Sequence, residues 1–516
     1  MRILGPLGVL LGAAACTPEA KLPDLRVIYE RAADASRGED RPPLIAVPGI
    51  LGSRLVDTAT DKVIWGGGAR GLSADPEDPA DFLALALPIG PADQPLTRHR
   101  DRVRADGILD TASVDILGVE IDIDVYIGVA RTLDAGGFRV SGQSSFDGPG
   151  APVTLAEPIE TSVEETEERQ EATSDFNAFR FDYDWRRDLI ETAHAFGRFL
   201  RRRQIQVATA RGVAPDEVKF DLIAHSMGGL VSRYFLMYGD AAPGPDGTLP
   251  PITWDGARFF SRAIFVAPPN AGSISAMTYL VNGRSLGPFQ PHFPATLLAT
   301  HPSIYQLMPR SRHNRLFQAG APVEDLYDIK LWRENGWGLT GPEADTHLAL
   351  LLPEVDSPTE RRKIALKHKA RLLERAEQFH TMMDRWAPPP ADLDLFLVVG
   401  GGFETPATAN ILPDRTIEIA DVEEGDGVVL RSSALLDERL DGDFSNGLRS
   451  PLRFKTTLFL PDEHIELTKN PVFGDNLLFW LLEAPRPAEE LARPDRGSLL
   501  IDRPRAREAA PPPDQR

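Results

Sequence analysis

The sequence predicts an α/β fold, a mostly parallel central sheet flanked by helices, and three observations carry that expectation. Val218 to Ala224 is mostly apolar and runs at once into Ser226, after which Leu230, Val231, Tyr234, Phe235 and Tyr238 recur at helical spacing: strand, sharp turn, helix. Further short apolar runs, Pro43 to Val47, Ala178 to Phe181, Ala263 to Ala267, Leu393 to Val399 and Phe454 to Leu460, are spread along the chain with helical patterns between them. Each run stops at proline, glycine or a charged loop, as strands do on leaving a sheet.

The tightest of these turns is Ala224-His-Ser-Met-Gly228. A turn so sharp strains the serine backbone and is tolerable only between small neighbours, here Ala224 and Gly228. The strain lifts the Ser226 hydroxyl clear of the chain, and the positive helix start behind it favours developing negative charge. A serine that merely caps a helix would also fit these five residues; the strand before and the helix after favour a nucleophile.

Composition bounds the rest. With 516 residues, 42% hydrophobic and 26% charged, the chain can bury a large core. A formal net charge of -20 argues against the basic face that nucleic-acid binding needs. No spaced cluster of histidines and carboxylates suggests a metal, and nothing calls for a cofactor.

The organisation follows in order. Residues 1–16 read as a signal peptide: one basic residue, an apolar run too short to span a bilayer, and Ala13-Ala-Ala-Cys16, which resembles a bacterial lipobox. Cys16 is the sole cysteine, so it serves no internal disulfide, and lipidation would anchor the exported chain to a membrane. Ala13 departs from the usual leucine, which leaves ordinary secretion or a periplasmic location as the alternative. Residues 17–41 are a polar tether. The first part of the core covers 42–272, with surface insertions expected at 73–100 and 141–174.

Within it, Pro43 to Leu55 is a strand ending in Pro48-Gly49 and a glycine-containing loop, where an oxyanion donor belongs, although an ordinary edge strand has the same pattern. Trp65 beside Gly66-Gly-Gly68 is either core or part of a lid together with Leu51. Val125 to Leu133 reads as a helix ended by Gly136-Gly137, and Asp188 to about Gln204 as another. Residues 273–391 lose the strand pattern and form a cap, whose long helix from about Thr359 to Trp386 is either packed core or a lipid-facing surface. The second part of the core covers 392–483, with a last helix at about Asn476 to Leu482, and 484–516 is a Pro/Arg/Ala-rich tail.

A serine needs a base, and the base a carboxylate to orient it. Of ten histidines, seven follow Ser226, and of those only His464 lies beyond the returning strands rather than in the cap. For the acid, Asp426 sits between Gly425 and Gly427, which lets the backbone turn and project the carboxylate; Asp394, Asp421 and Asp437 are rivals, and an Asp-Gly pair is also a common turn.

Taken together, Pro48-Gly-Ile-Leu-Gly-Ser53, Ile64-Trp-Gly66, Tyr183-Asp-Trp-Arg186, Ala224-His-Ser-Met-Gly-Gly229, Gly425-Asp-Gly427 with Ser432-Ser-Ala-Leu435, and His464 near Asn470-Pro471 resemble the lecithin:cholesterol acyltransferase family, which includes lysosomal phospholipase A2 and phospholipid:diacylglycerol acyltransferases. The likeness runs from about Pro43 to Leu482 with stretches of cap unmatched. It implies an α/β-hydrolase fold with lid and cap, a triad of Ser226, Asp426 and His464, and an oxyanion hole from the backbone N–H groups of Met227 and Ile50. It also implies a phospholipid or other lipid ester as donor, a hydroxyl lipid or water as acceptor, and work at a membrane surface. Two departures stand out: no disulfide can brace the lid, and Val428 follows Gly-Asp-Gly where threonine is usual. The expected activity is O-acyl transfer; the alternatives are a phospholipase, lipase or carboxylesterase and, more remotely, a lipid-binding lipoprotein without turnover.

Overall fold

The computed structural model describes residues 41–67, 74–90, 101–109, 113–116, 119–122, 125–139, 177–285, 291–310, 315–341, 344–439 and 447–484, with Tyr29, Ala33 and Leu96. The leader with Cys16, most of the tether, the insertion 141–174 and the tail from 485 lie outside the described residues.

Six strands build the central sheet: β1 (Leu44–Val47), β2 (Ala178–Arg180), β3 (Phe220–His225), β4 (Phe260–Val266), β5 (Asp394–Gly400) and β6 (Thr456–Leu460). Their order across the sheet is β6-β5-β4-β3-β1-β2, and every pairing is parallel. A parallel sheet is covered on both faces, so its inner strands carry near-continuous apolar runs. β3 is buried at all six positions, and the one carboxylate it takes inside, Asp221, is paired with Arg262 on β4 at 3.1 Å.

The helices that cover the sheet begin where the side chains say they should. Asp188 caps α1 (Leu189–Arg211), its carboxylate accepting from Ile190 N and Glu191 N at 2.7 and 3.1 Å, and Gly212 ends it in a left-handed conformation. α2 (Met227–Tyr238) follows Ser226 and is buried along its whole length. Its outer face meets the cap: Tyr234 stacks on Phe379, and the Tyr238 hydroxyl donates to Met382 O at 2.7 Å. Phe379 and Met382 belong to α3 (Pro358–Met383), so this long helix packs as core, with Leu372, Leu373, Ala376 and Met383 buried, and is not a lipid-facing surface.

Three stretches differ from expectation. The final helix is Pro471–Leu478, followed by one wide turn at Phe479–Glu483; its start is set by Asn470, whose side chain accepts from Val472 N at 2.7 Å, and by Pro471 in the first turn. Residues 403–425 form a long antiparallel hairpin, Phe403–Ile411 against Ile417–Gly425, which joins Leu316–Gln318 and Ala321–Pro322 in a four-stranded sheet. In place of a solvated insertion, the described part of 73–100 holds the helix Pro79–Leu85, capped by Asp78, and buries Phe82, Leu85, Leu87 and Ile89.

Candidate active site

The groups singled out from the sequence stand at the carboxyl ends of parallel strands, where open α/β sheets place their sites. Pro48 to Leu51 follow β1, Ser226 follows β3, Asp426 lies beyond β5 at the end of the hairpin, and His464 comes just after β6.

Ser226 has φ 52° and ψ −126°, a conformation that a side-chain-bearing residue holds only under constraint. The constraint is visible on both sides: its N–H donates to Val266 O at 2.8 Å, and Gly228 presses so closely on the Val47 and Pro48 carbonyls that no β-carbon would fit. Met227 opens α2, so its amide is among the first N–H groups of a helix start. Ile50 lines the same cavity as Ser226, and Leu51 turns with φ 63°. The Tyr183 hydroxyl holds this loop by donating to Pro48 O at 2.9 Å.

Asp426 and His464 are both buried and bonded to each other, His464 Nδ1 lying 2.8 Å from Asp426 Oδ2. The other carboxylate oxygen accepts from Val428 N and Val429 N at 3.0 and 2.6 Å, so the turn made possible by the two glycines fixes its own side chain. The backbone adds a third tie, His464 N to Asp426 O at 2.9 Å. With Nδ1 engaged, Nε2 is the nitrogen left to act as a base. The rival acids are occupied elsewhere: Asp394 with Lys455, Asp421 with Thr408 and Asp437 with Arg439.

Ser226 and His464 open on one cavity of about 1270 Å³ counting its mouth, lined mostly by apolar side chains. Trp65 is not exposed there. It is a buried wall, its Nε1 donating to Leu51 O at 2.9 Å, with Trp185 and Phe293 packed edge-on at 5.3 and 6.3 Å between centroids. The Tyr183-Asp-Trp-Arg motif builds that wall. Arg186, fully buried, binds Asp184 and Asp101 and donates to the carbonyls of Ala84 and Leu85, which ties the helix Pro79–Leu85 to the cavity and leaves Trp185 facing it.

Two histidines in the lining went unread in the sequence. His301 Nε2 donates to Leu85 O at 3.0 Å, and burial pushes its pKa down to about 3. His225 lies under His464 and is held neutral in the same way, burial and the neighbouring His464 lowering its pKa to about 3. Neither carries a local signal of its own: one sits in the cap and the other is a position the serine motif leaves unspecified.

Comparison with known proteins agrees with this architecture. Residues 173–327 match the family model described as Lecithin:cholesterol acyltransferase. No curated protein gives a significant match. Among solved structures, a chain of the Tle4-Tli4 complex superposes with a TM-score of 0.50 at 14% identity, covering 85% of this chain and 98% of that one. Lipase 1 of Pelosinus fermentans (TM-score 0.27, 11% identity, 62% of this chain and 92% of that one) and the mature Bacillus licheniformis lipase BlEst2 (TM-score 0.26, 12% identity, 61% and 84%) are more distant and carry no argument of their own. The stretch holding the serine turn and the start of the cap thus matches the lecithin:cholesterol acyltransferase family model, within a fold of the α/β-hydrolase class.

Proposed function

We propose that this protein is a serine-dependent enzyme of lipid esters and that it moves acyl groups to a hydroxyl acceptor. The observation that carries the reading is the buried Asp426–His464 pair sharing one apolar cavity with Ser226. His464 Nε2 takes the Ser226 proton as Oγ adds to the ester carbonyl, and the N–H groups of Met227 and Ile50 receive the oxyanion. Collapse of the intermediate breaks the ester C–O bond, and the same proton passes to the leaving alcohol. The acceptor hydroxyl then attacks the acyl-enzyme with His464 again as base, and Asp426 orients the imidazole throughout.

The apolar lining favours an alcohol over water as acceptor, because a site that excludes water protects the acyl-enzyme from hydrolysis. Donors that suit it are phospholipids and related esters with long acyl chains, in keeping with the family match. Hydrolysis, as in a phospholipase or lipase, is the same chemistry with water as acceptor. Export and lipidation at Cys16 would bring the enzyme to a membrane surface.

The deciding experiment incubates the mature protein with a phospholipid carrying a labelled acyl chain, with and without a sterol or long-chain alcohol. Label in a new ester, lost in Ser226→Ala, is the expected result. Label only in free fatty acid makes the protein a hydrolase, and turnover by Ser226→Ala at the parent rate overturns the mechanism.

A further inference from the structure

The geometry points to His225 as a positioning residue that spans the loop of His464 and the loop of Gly49 and Ile50, holding base and oxyanion donor in fixed relation to Ser226. The inference rests on the serine mechanism proposed above and assigns a role to a residue that the mechanism does not itself use.

His225 ends β3 and is buried directly before Ser226. Its ring lies 4.8 Å from that of His464, inclined at 45°, and its Nε2 is 3.2 Å from the His464 backbone oxygen. A carbonyl only accepts, so Nε2 carries the hydrogen, and in the neutral ring Nδ1 is then the acceptor nitrogen. Burial lowers its pKa to about 3, so the ring is neutral around neutral pH.

On its other side the ring meets the loop after β1. A β-carbon placed at Gly49 would stand 3.4 Å from His225 Nδ1 and 2.9 Å from the Ser226 β-carbon, and Gly49, Ile50, His225, Ser226 and His464 line one cavity, so the loop passes close beside imidazole and serine. One side chain thus adjoins the segments that carry the base, the nucleophile and the second oxyanion donor. The titratable groups about it are His464, on the segment after β6, and Asp426, bonded to His464.

The test uses the mature protein and a soluble acyl ester. His225→Gln keeps an N–H donor of similar reach, whereas His225→Phe keeps ring volume without a donor. The expectation is a kcat lower by about 30- to 100-fold in His225→Phe with KM changed by about twofold or less, since a misplacement of about 1 Å near the chemistry can cost on the order of 100-fold. His225→Gln is expected within about fivefold of the parent, with similar melting temperatures in both. Should His225→Phe not fold, His225→Leu, also without a donor, is read in its place. A donor-free variant with parental kcat, or a His225→Gln that falls as far as His225→Phe, overturns the positioning role. Labelling with a fluorophosphonate separates the two ideas: a parent labelled at Ser226 upholds the serine mechanism whichever way the His225 variants behave, and an unlabelled parent overturns both.

Discussion

Gly49 shows how little room surrounds the reacting atom. A methyl group there would approach the Ser226 β-carbon at 2.9 Å and its hydroxyl oxygen at 3.4 Å, in the space an ester carbonyl must enter. Gly49→Ala is therefore expected to lower kcat/KM on a soluble ester by about 100-fold and, because the methyl overlaps the Ser226 β-carbon, to lower the melting temperature as well. Ser226, Asp426 and His464 could be singled out because each left a local mark: Ser226 between small residues before a helix, Asp426 between glycines, His464 alone beyond the returning strands. Phe293, Leu297 and Tyr279, which also line the cavity, left none, since an apolar side chain looks the same in sequence whether it faces a core or a substrate.

Helices report the same contrast. Asp188 caps α1 and also binds Arg375 of α3, Nε to Oδ2 at 2.5 Å, so one carboxylate starts a core helix and ties down the cap. Asp188→Ala removes the cap bonds and strands a largely buried guanidinium; a loss of about 2–4 kcal/mol in urea unfolding is expected. α1, α2 and α3 were readable from apolar spacing. The hairpin Phe403–Gly425 was not, because its second strand, Ile417–Gly425, faces solvent at most positions and so lacks the alternation that reveals a strand; backbone pairing, rather than burial, maintains it. The helix Pro79–Leu85 was hidden for the opposite reason, its Pro and Asp signalling a capped start inside what composition suggests is loop.

At the scale of the molecule, His225 and His301 couple stability to pH. Both are buried and neutral, with pKa values lowered to about 3 from an unfolded value of about 6.5. Between those limits the unfolded chain binds more protons than the folded one, so stability is complete above about pH 6.5 and drains away as pH falls towards 3. Urea unfolding at pH 4.5 against pH 7.5 should show a loss of about 2 kcal/mol or more per histidine, and His301→Gln should flatten the dependence by its share. The parallel sheet itself was foreseen in class and in most of its strands, because runs buried on both faces are apolar throughout. Its chain order carries a further meaning. Ser226 is in place long before Asp426 and His464 are translated, and the cap is synthesised between them. Chains whose partners lie far apart in sequence complete their contacts late. On the mechanism proposed above, a nascent or truncated chain lacking β6 and the segment behind it holds a nucleophile without a base, so activity waits until His464 has been added.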